Sequence, residues 1–248
     1  MMFVVGTSGW YYNHWRGPFY PGALPRRAWL PYFAARLASV EINNTFYQMP
    51  QAERMANWRE ATPEGFLFAV KANNTITHRK KLKETHSLVL DFLAAVEHFG
   101  EKLGPILFQL PPGLAVDVER LYAFLRFLPS GYRYTFEFRN PSWFTPEVFA
   151  ILAEYNAAFC VYHLNRSFSP QITTADWAYV RLHGPEGAYE GKYDADTLRR
   201  WMDVFSTWMS AGKDVYCYFD NDQAGYAVEN ALALQAMAKE YVGLPGLA

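Results

Sequence analysis

Cysteine is scarce in this chain, 2 residues in 248. Cys160 and Cys217 each lie inside an apolar run, with no CxxC pair and no knuckle spacing. That excludes a disulfide framework and a thiolate zinc site, and the two thiols read as small buried hydrophobes. An excess of one charge is missing too. Lys and Arg number 23 against 24 Asp and Glu, a formal net charge of −1, which excludes a protein that grips duplex DNA through a broadly basic face. No apolar run reaches the roughly 18 residues a membrane span needs. The chain passes from Met1-Met2 directly into Phe3-Val4-Val5-Gly6, a first strand and not a leader. The expectation is a cytoplasmic protein without membrane contact. The P-loop, GxGxxG and GxSxG signatures are absent as well.

What the chain holds in quantity is apolar surface. Hydrophobic residues make up 51% of it, enough for a large core. The 8 Trp, 17 Tyr and 19 Phe exceed what packing demands, so some rings are expected where a ligand stacks. Strand-like runs are expected at 3–10, 39–46, 66–73, 105–112, 134–143, 158–163, 177–185 and 214–222. Helical periods alternate with them at 26–37, 53–61, 88–103, 117–128, 146–155, 197–209 and 226–241. Residues 165–174 are polar and lack any helical period, so the helix after the sixth strand is expected to be reduced or missing. No linker, repeat or composition shift divides the series. The pattern is a single α/β domain over 1–248, a TIM-type (β/α)8 barrel. An open doubly wound sheet would show the same alternation, because alternation does not encode strand order.

The strand at 134–143 points to function. At a two-residue period Phe136 and Phe138 face one way while Thr135, Glu137 and Arg139 face the other. A carboxylate and a guanidinium on one face cost several kcal/mol per ion in a core unless paired, so this strand end is expected at a cleft. The event recurs. Glu41 and Asn43, Lys71 and Asn73, Gln109, His163, Arg181 and His183, and Asp220 and Asp222 also end strands. In a barrel those ends converge on one mouth, where barrel enzymes keep their chemistry.

Lys71, Arg139 and Arg181 supply cations suited to a phosphate or carboxylate. His183 and Glu137 form the natural acid/base pair, and Lys71 joins them as a catalytic candidate. Trp10, Glu41, Asn43, Gln109, Trp143, Asp220 and Asn221 are expected to bind substrate beside the arginines. Three cations in one mouth argue against a metal, and the calcium-like start at Asp220 has Ala231 where its closing Glu belongs. No metal and no cofactor are expected.

The leading expectation is an enzyme acting on a small anionic or sugar-like ligand by acid/base chemistry. A nucleic-acid-binding or DNA-repair-related, endonuclease-like protein, with or without a metal, is the alternative, stacking bases on Trp10, Tyr11, Trp15 or Trp143 and tracking phosphates with the basic loop from Arg79 to Lys83. A non-catalytic ligand-binding barrel is the third. A role for the strand-end pairs in holding the mouth together, Glu41 with Lys71 and Arg181 with Asp220, stands beside all three.

Taken together the strand ends resemble the YecE-like family, a domain of unknown function numbered 72. The resemblance rests on Gly6-Thr7-Ser8-Gly9-Trp10, Val40-Glu41-Ile42-Asn43-Asn44-Thr45-Phe46-Tyr47, Val70-Lys71-Ala72, Phe108-Gln109-Leu110-Pro111-Pro112, Phe136-Glu137-Phe138-Arg139-Asn140-Pro141-Ser142-Trp143, Val180-Arg181-Leu182-His183-Gly184 and Tyr218-Phe219-Asp220-Asn221-Asp222. It spans nearly the whole chain. It implies a TIM-type barrel and a bacterial or archaeal cytosolic protein, and it implies no particular reaction. Where that family commonly has Asn after the last aromatic strand residue, this chain has Asp220.

Overall fold

The computed structural model of the chain describes residues 1–241; the end of the expected domain, 242–248, lies outside the described residues. Its strands are β1 (Phe3–Ser8), β2 (Ser39–Ile42), β3 (Leu67–Lys71), β4 (Leu103–Leu110), β5 (Tyr134–Phe138), β6 (Ala158–Leu164), β7 (Ser167–Phe168), β8 (Trp177–Leu182) and β9 (Asp214–Phe219). They hydrogen-bond in the order β5-β4-β3-β2-β1-β9-β8-β6-β7, and β5 also pairs with β6. Short β7 is an antiparallel return on β6. The other eight are parallel neighbours in a closed ring, a TIM-like barrel and not an open sheet.

The helices are α1 (Trp29–Ala34), α2 (Asn44–Tyr47), α3 (Ala52–Glu60), α4 (His86–Val96), α5 (Val118–Phe127), α6 (Pro146–Glu154), α7 (Ala195–Ser210) and α8 (Tyr226–Glu240). Their starts are written locally. Asp117, Thr145 and Asp194 each accept a backbone N–H from the first turn of α5, α6 and α7, and Pro146 opens α6 where no N–H is needed. Among the described residues no helix lies between β6 and β8. In its place Ser169 and Thr174 hydroxyls accept the backbone N–H groups of Tyr162 and Phe159 at 2.8 Å each, so the polar run satisfies two backbone donors of β6. The second strand stops at Ile42, short of the expected Phe46, because Asn43 turns helical (φ −99°, ψ −17°) and opens α2. The expected helix at 88–103 ends early for a similar reason: Gly100 takes φ 58°, and β4 begins at Leu103.

Alternation sorts the strand residues into two layers. Phe68, Val70, Phe108, Phe136, Phe138 and Val180 join the core between barrel and helices. Val4, Ala69, Leu107, Tyr179, Tyr216 and Tyr218 form a separate buried cluster on the opposite, interior face. The lumen is therefore packed, not a pore. Gly6 permits the packing: a Cβ there would stand 2.1 Å from the Ser39 carbonyl oxygen and 3.2 Å from the Tyr218 ring. Above this floor the next inward positions are Ser8, Glu41, Lys71, Gln109, Glu137, Arg181 and Asp220.

Candidate functional site at the barrel mouth

Arg181, two residues beyond Tyr179 on β8, is 1% exposed and sits at the centre of the mouth. Its guanidinium meets Glu41 through Nε (3.1 and 2.9 Å) and Nη2 (2.7 Å), Glu137 through Nη1 (2.9 Å), and Asp220 through Nη2 (3.0 Å). A longer Nη1 contact, 3.4 Å, reaches His183 Nε2. The planar fork thus spends its donors on three carboxylates and one imidazole. Glu41 is completed by the hydroxyls of Ser8 and Tyr179, each donating at 2.6 Å. Ring closure makes this arrangement possible, since Glu41 and Arg181 lie 140 residues apart.

Arg139 continues the network. It pairs with Glu137, stands 5.0 Å over the Tyr162 ring, and donates from Nη2 to His183 Nε2 at 3.0 Å. A guanidinium only donates, so Nε2 must accept and the imidazole proton sits on Nδ1, 3.0 Å from Asp220 Oδ2. Burial and then Arg181 hold the His183 pKa below its ordinary value, against Asp220, so the ring is neutral. Glu137 behaves oppositely. Burial pushes its carboxyl up, but Arg139 and Arg181 outweigh burial and hold it well below the usual carboxylate range. Asp220 is likewise lowered, by Arg181 and His183 against burial.

Lys71 stands apart. Its Nζ lies 4.3 Å over the Phe46 ring, and among the described residues it has no carboxylate within ion-pair distance. Burial, helped by Arg181 and opposed by Glu137, Glu41 and Asp220, lowers its pKa to about 8. The segment beyond it is irregular: a π-helical turn at Thr75–Arg79 precedes Lys81, Leu82 and Glu84, all at positive φ. Strain of this kind collects at functional sites. A second loop covers the mouth from the other side, where the Tyr189 ring meets His183 edge-on at 5.7 Å and the Tyr189 N–H donates to the His183 carbonyl.

The structure brings Lys71, Glu137, His183, Arg139, Arg181, Glu41 and Asp220 into one cluster. Gln109 is the direct neighbour of Glu137 across β4 and β5, and it is half-buried. Asn43 and Trp10 stand at one side of the mouth, in the wall of a neighbouring cavity. Two expected ligand contacts lie elsewhere. Trp143 is fully buried beyond the end of β5, stacked on Phe138 at 4.7 Å, with its indole N–H on the Leu114 carbonyl. Asn221 has the opposite strand parity to Asp220, and its amide is spent on the Gly191 carbonyl and on Asn230. Two other strand-end polars share that fate. His163 faces out of the barrel onto Tyr193, and Asn73 binds the Thr45 and Phe46 carbonyls. Trp15, one of the expected stacking rings, is also fully buried. The expected Glu41–Lys71 pair is not made; Arg181 has taken Glu41, while the expected Arg181–Asp220 pair is present. Ser8, Tyr179 and Tyr189 belong to the site although no charge marks them in the sequence. For Ser8 and Tyr179 the available signal is strand parity, which they share with Gly6 and Arg181 respectively.

Every carboxylate of the cluster already faces a guanidinium, so a divalent ion bound there would compete with Arg181 for anionic oxygens. Among the described residues no group of three or more His, Cys, Asp or Glu is arranged to hold a metal. No described helix is long and apolar enough to cross a membrane.

Comparison with known proteins agrees with the geometry. YunF of Bacillus subtilis is 26% identical over 98% of this chain and 97% of its own length. YecE of Escherichia coli K12 is 33% identical over 45% of this chain, an overlap that spans 42% of that relative. The crystal structure of a DUF72 family protein from Thermotoga maritima superposes with a TM-score of 0.87 at 29% identity, covering 96% of this chain and 100% of that one. A putative vitamin-B12 independent methionine synthase from Listeria monocytogenes, 12% identical with a TM-score of 0.56, shares the barrel fold alone. The sequence profile of DUF72, a family described as proteins of unknown function, matches residues 4–246, and with strand ends, barrel and profile in agreement the chain belongs to that family.

Proposed function

We propose that this protein is an enzyme that binds a small anionic or sugar-like substrate over the C-terminal ends of β3, β4 and β5 and moves a proton through Lys71. The observation that carries this reading is the contrast between Lys71 and its neighbours. Three carboxylates and two guanidinium groups pair with one another inside the cluster and leave one negative charge over, whereas Lys71 is a partly buried cation with no partner carboxylate within ion-pair distance among the described residues. A pKa of about 8 suits it to give up and regain a proton near neutrality.

The roles divide accordingly. Glu137, held anionic by two arginines, aims Arg139. His183 is neutral with its lone pair turned to Arg139, so it positions that guanidinium and exchanges no proton until Arg139 swings onto a ligand. Gln109 offers an amide to hydroxyl groups, and Arg139 offers its guanidinium once it turns from Glu137 and His183. Arg181 organises the site from beneath.

The test is solvent exchange. Sugar phosphates and short hydroxy acids are incubated with the protein in D2O and followed by proton NMR. At least one is expected to take up deuterium at a carbon beside a carbonyl, with the Lys71→Met variant slower by about a hundredfold or more. Exchange as fast in Lys71→Met, or a panel in which nothing binds or exchanges, refutes the reading.

A further inference from the structure

A cavity of about 600 Å³ lies beside the mouth, between the β1–α1 segment and α3. Its wall carries the rings of Trp10, Tyr11 and Trp58, the guanidinium groups of Arg26, Arg27 and Arg54, and the amides of Asn43 and Asn44; among the described residues no acidic side chain lines it. In a chain whose net charge is −1, three arginines around one cavity are a local excess. Arg26 is tethered to Asn13 at 2.7 Å and lies 5.8 Å over the Tyr11 ring. Arg27 and Arg54 are exposed and, among the described residues, make neither an ion pair nor a side-chain hydrogen bond. Asn43 Oδ1 is buried and lacks a donor.

We infer that this cavity is a binding site for a small molecule carrying a planar ring and a phosphate, the chemistry of a nucleoside monophosphate. Each half has its match. Trp10, largely buried, meets the half-buried Trp58 edge to face, 4.9 Å apart at 87°, and with exposed Tyr11 this leaves the Trp58 indole and the Tyr11 phenol to flank a ring. Arg27 and Arg54 approach from two different helical segments, so both forks can close on one dianion. The unpartnered Asn43 oxygen accepts from an N–H or O–H on the ring or sugar. The volume falls within the range of pockets that enclose small ligands, about 300–1,000 Å³. A polymer fits less well, because exposed Glu53 and Glu60 on α3 interrupt any phosphate track leading from Arg54.

Tyr12 lines the same cavity, and its hydroxyl donates to the Ser8 carbonyl at 2.6 Å, next to the Ser8 hydroxyl that holds Glu41. The cavity therefore adjoins the charged cluster without opening through it. The inference stands independently of the role proposed for Lys71.

Isothermal titration with adenosine 5′-monophosphate, uridine 5′-monophosphate, adenosine, inorganic phosphate and a single-stranded hexanucleotide tests it. A monophosphate is expected to bind one to one, at least about tenfold more tightly than adenosine or phosphate. The double variant Arg27→Ala, Arg54→Ala, both exposed and safe for folding, is expected to remove that advantage and leave adenosine binding unchanged. Trp58→Ala is expected to weaken the nucleotide and the nucleoside alike, with an unaltered far-ultraviolet circular dichroism spectrum. No monophosphate binding, binding equal in the double arginine variant, or a hexanucleotide that outcompetes both monophosphates overturns the inference.

Discussion

Replacing Arg181 with methionine keeps most of the side-chain volume and removes the charge. Glu41 then loses all three of its guanidinium contacts and keeps only the Ser8 and Tyr179 hydroxyls. Glu137 keeps Arg139 and Asp220 keeps His183. One fully buried carboxylate is thus stranded and two are weakened. Breaking a buried pair from one side costs about 3–5 kcal/mol, a large share of the roughly 5–15 kcal/mol that holds a folded domain. Urea unfolding followed by tryptophan fluorescence is expected to show an unfolding free energy lowered by that amount, seen as a lower midpoint with little change in slope. Pairing Arg181→Met with Glu41→Leu is expected to restore at least half of the lost stability, since an apolar substitute for a buried ion pair is often neutral. A single variant within about 1 kcal/mol of the unaltered protein, or a double variant no better than the single, refutes the view that charge, and not volume, is what Arg181 contributes.

Lys71 is expected to be acylated with a rate that rises through pH 8, well below the ordinary lysine value of 10.5, as measured by mass spectrometry of labelled peptides; a midpoint near 10.5 would count against its burial. The same lowered pKa means the unfolded chain binds more protons between those two values, so this group's contribution to stability rises with pH across that window. Gly184→Ala is expected to disorder the loop over the mouth, because Gly184 sits at φ 115° and an added Cβ would stand 2.2 Å from the Glu190 carbonyl oxygen. Hydrogen exchange at the Tyr189 amide, bonded to His183 in the native loop, is expected to accelerate while the strands stay protected; unchanged protection there refutes it.

Strand parity makes most of the charged cluster legible in the sequence. Glu137 with Arg139 and Arg181 with His183 share faces because the strand period is two, and that period is local. The same rule, applied strictly, separates Asn221 from Asp220 and turns His163 away from the barrel. It cannot place Trp143, which lies past the proline that ends the strand. Partner choice is not legible. Glu41 and Arg181 meet only because the sheet closes, and closure depends on strand order. The cavity beside the mouth is hidden for another reason: Arg26, Arg27 and Arg54 come from helical segments whose orientation is fixed by packing against Trp29, Leu30 and Met55, not by any pattern in their own sequence.

The closed ring is not equally bonded all the way round. β4 and β5 are in register over five residue pairs and β8 and β9 over six, whereas β5 and β6 share only Thr135 with Ala158 and Phe136 with Phe159. Above those two pairs the join is bridged by side chains: the Tyr162 hydroxyl on the Phe138 carbonyl, Arg139 over Tyr162, and the ion pair from Glu137 to Arg181 on the far side of β6. The charged cluster therefore doubles as the clasp of the barrel's weakest seam. Strong acid, which protonates Glu137, should loosen the join between β5 and β6 before any other, salt should do little to so buried a pair, and a ligand that draws Arg139 away from Glu137 would tug on the same clasp.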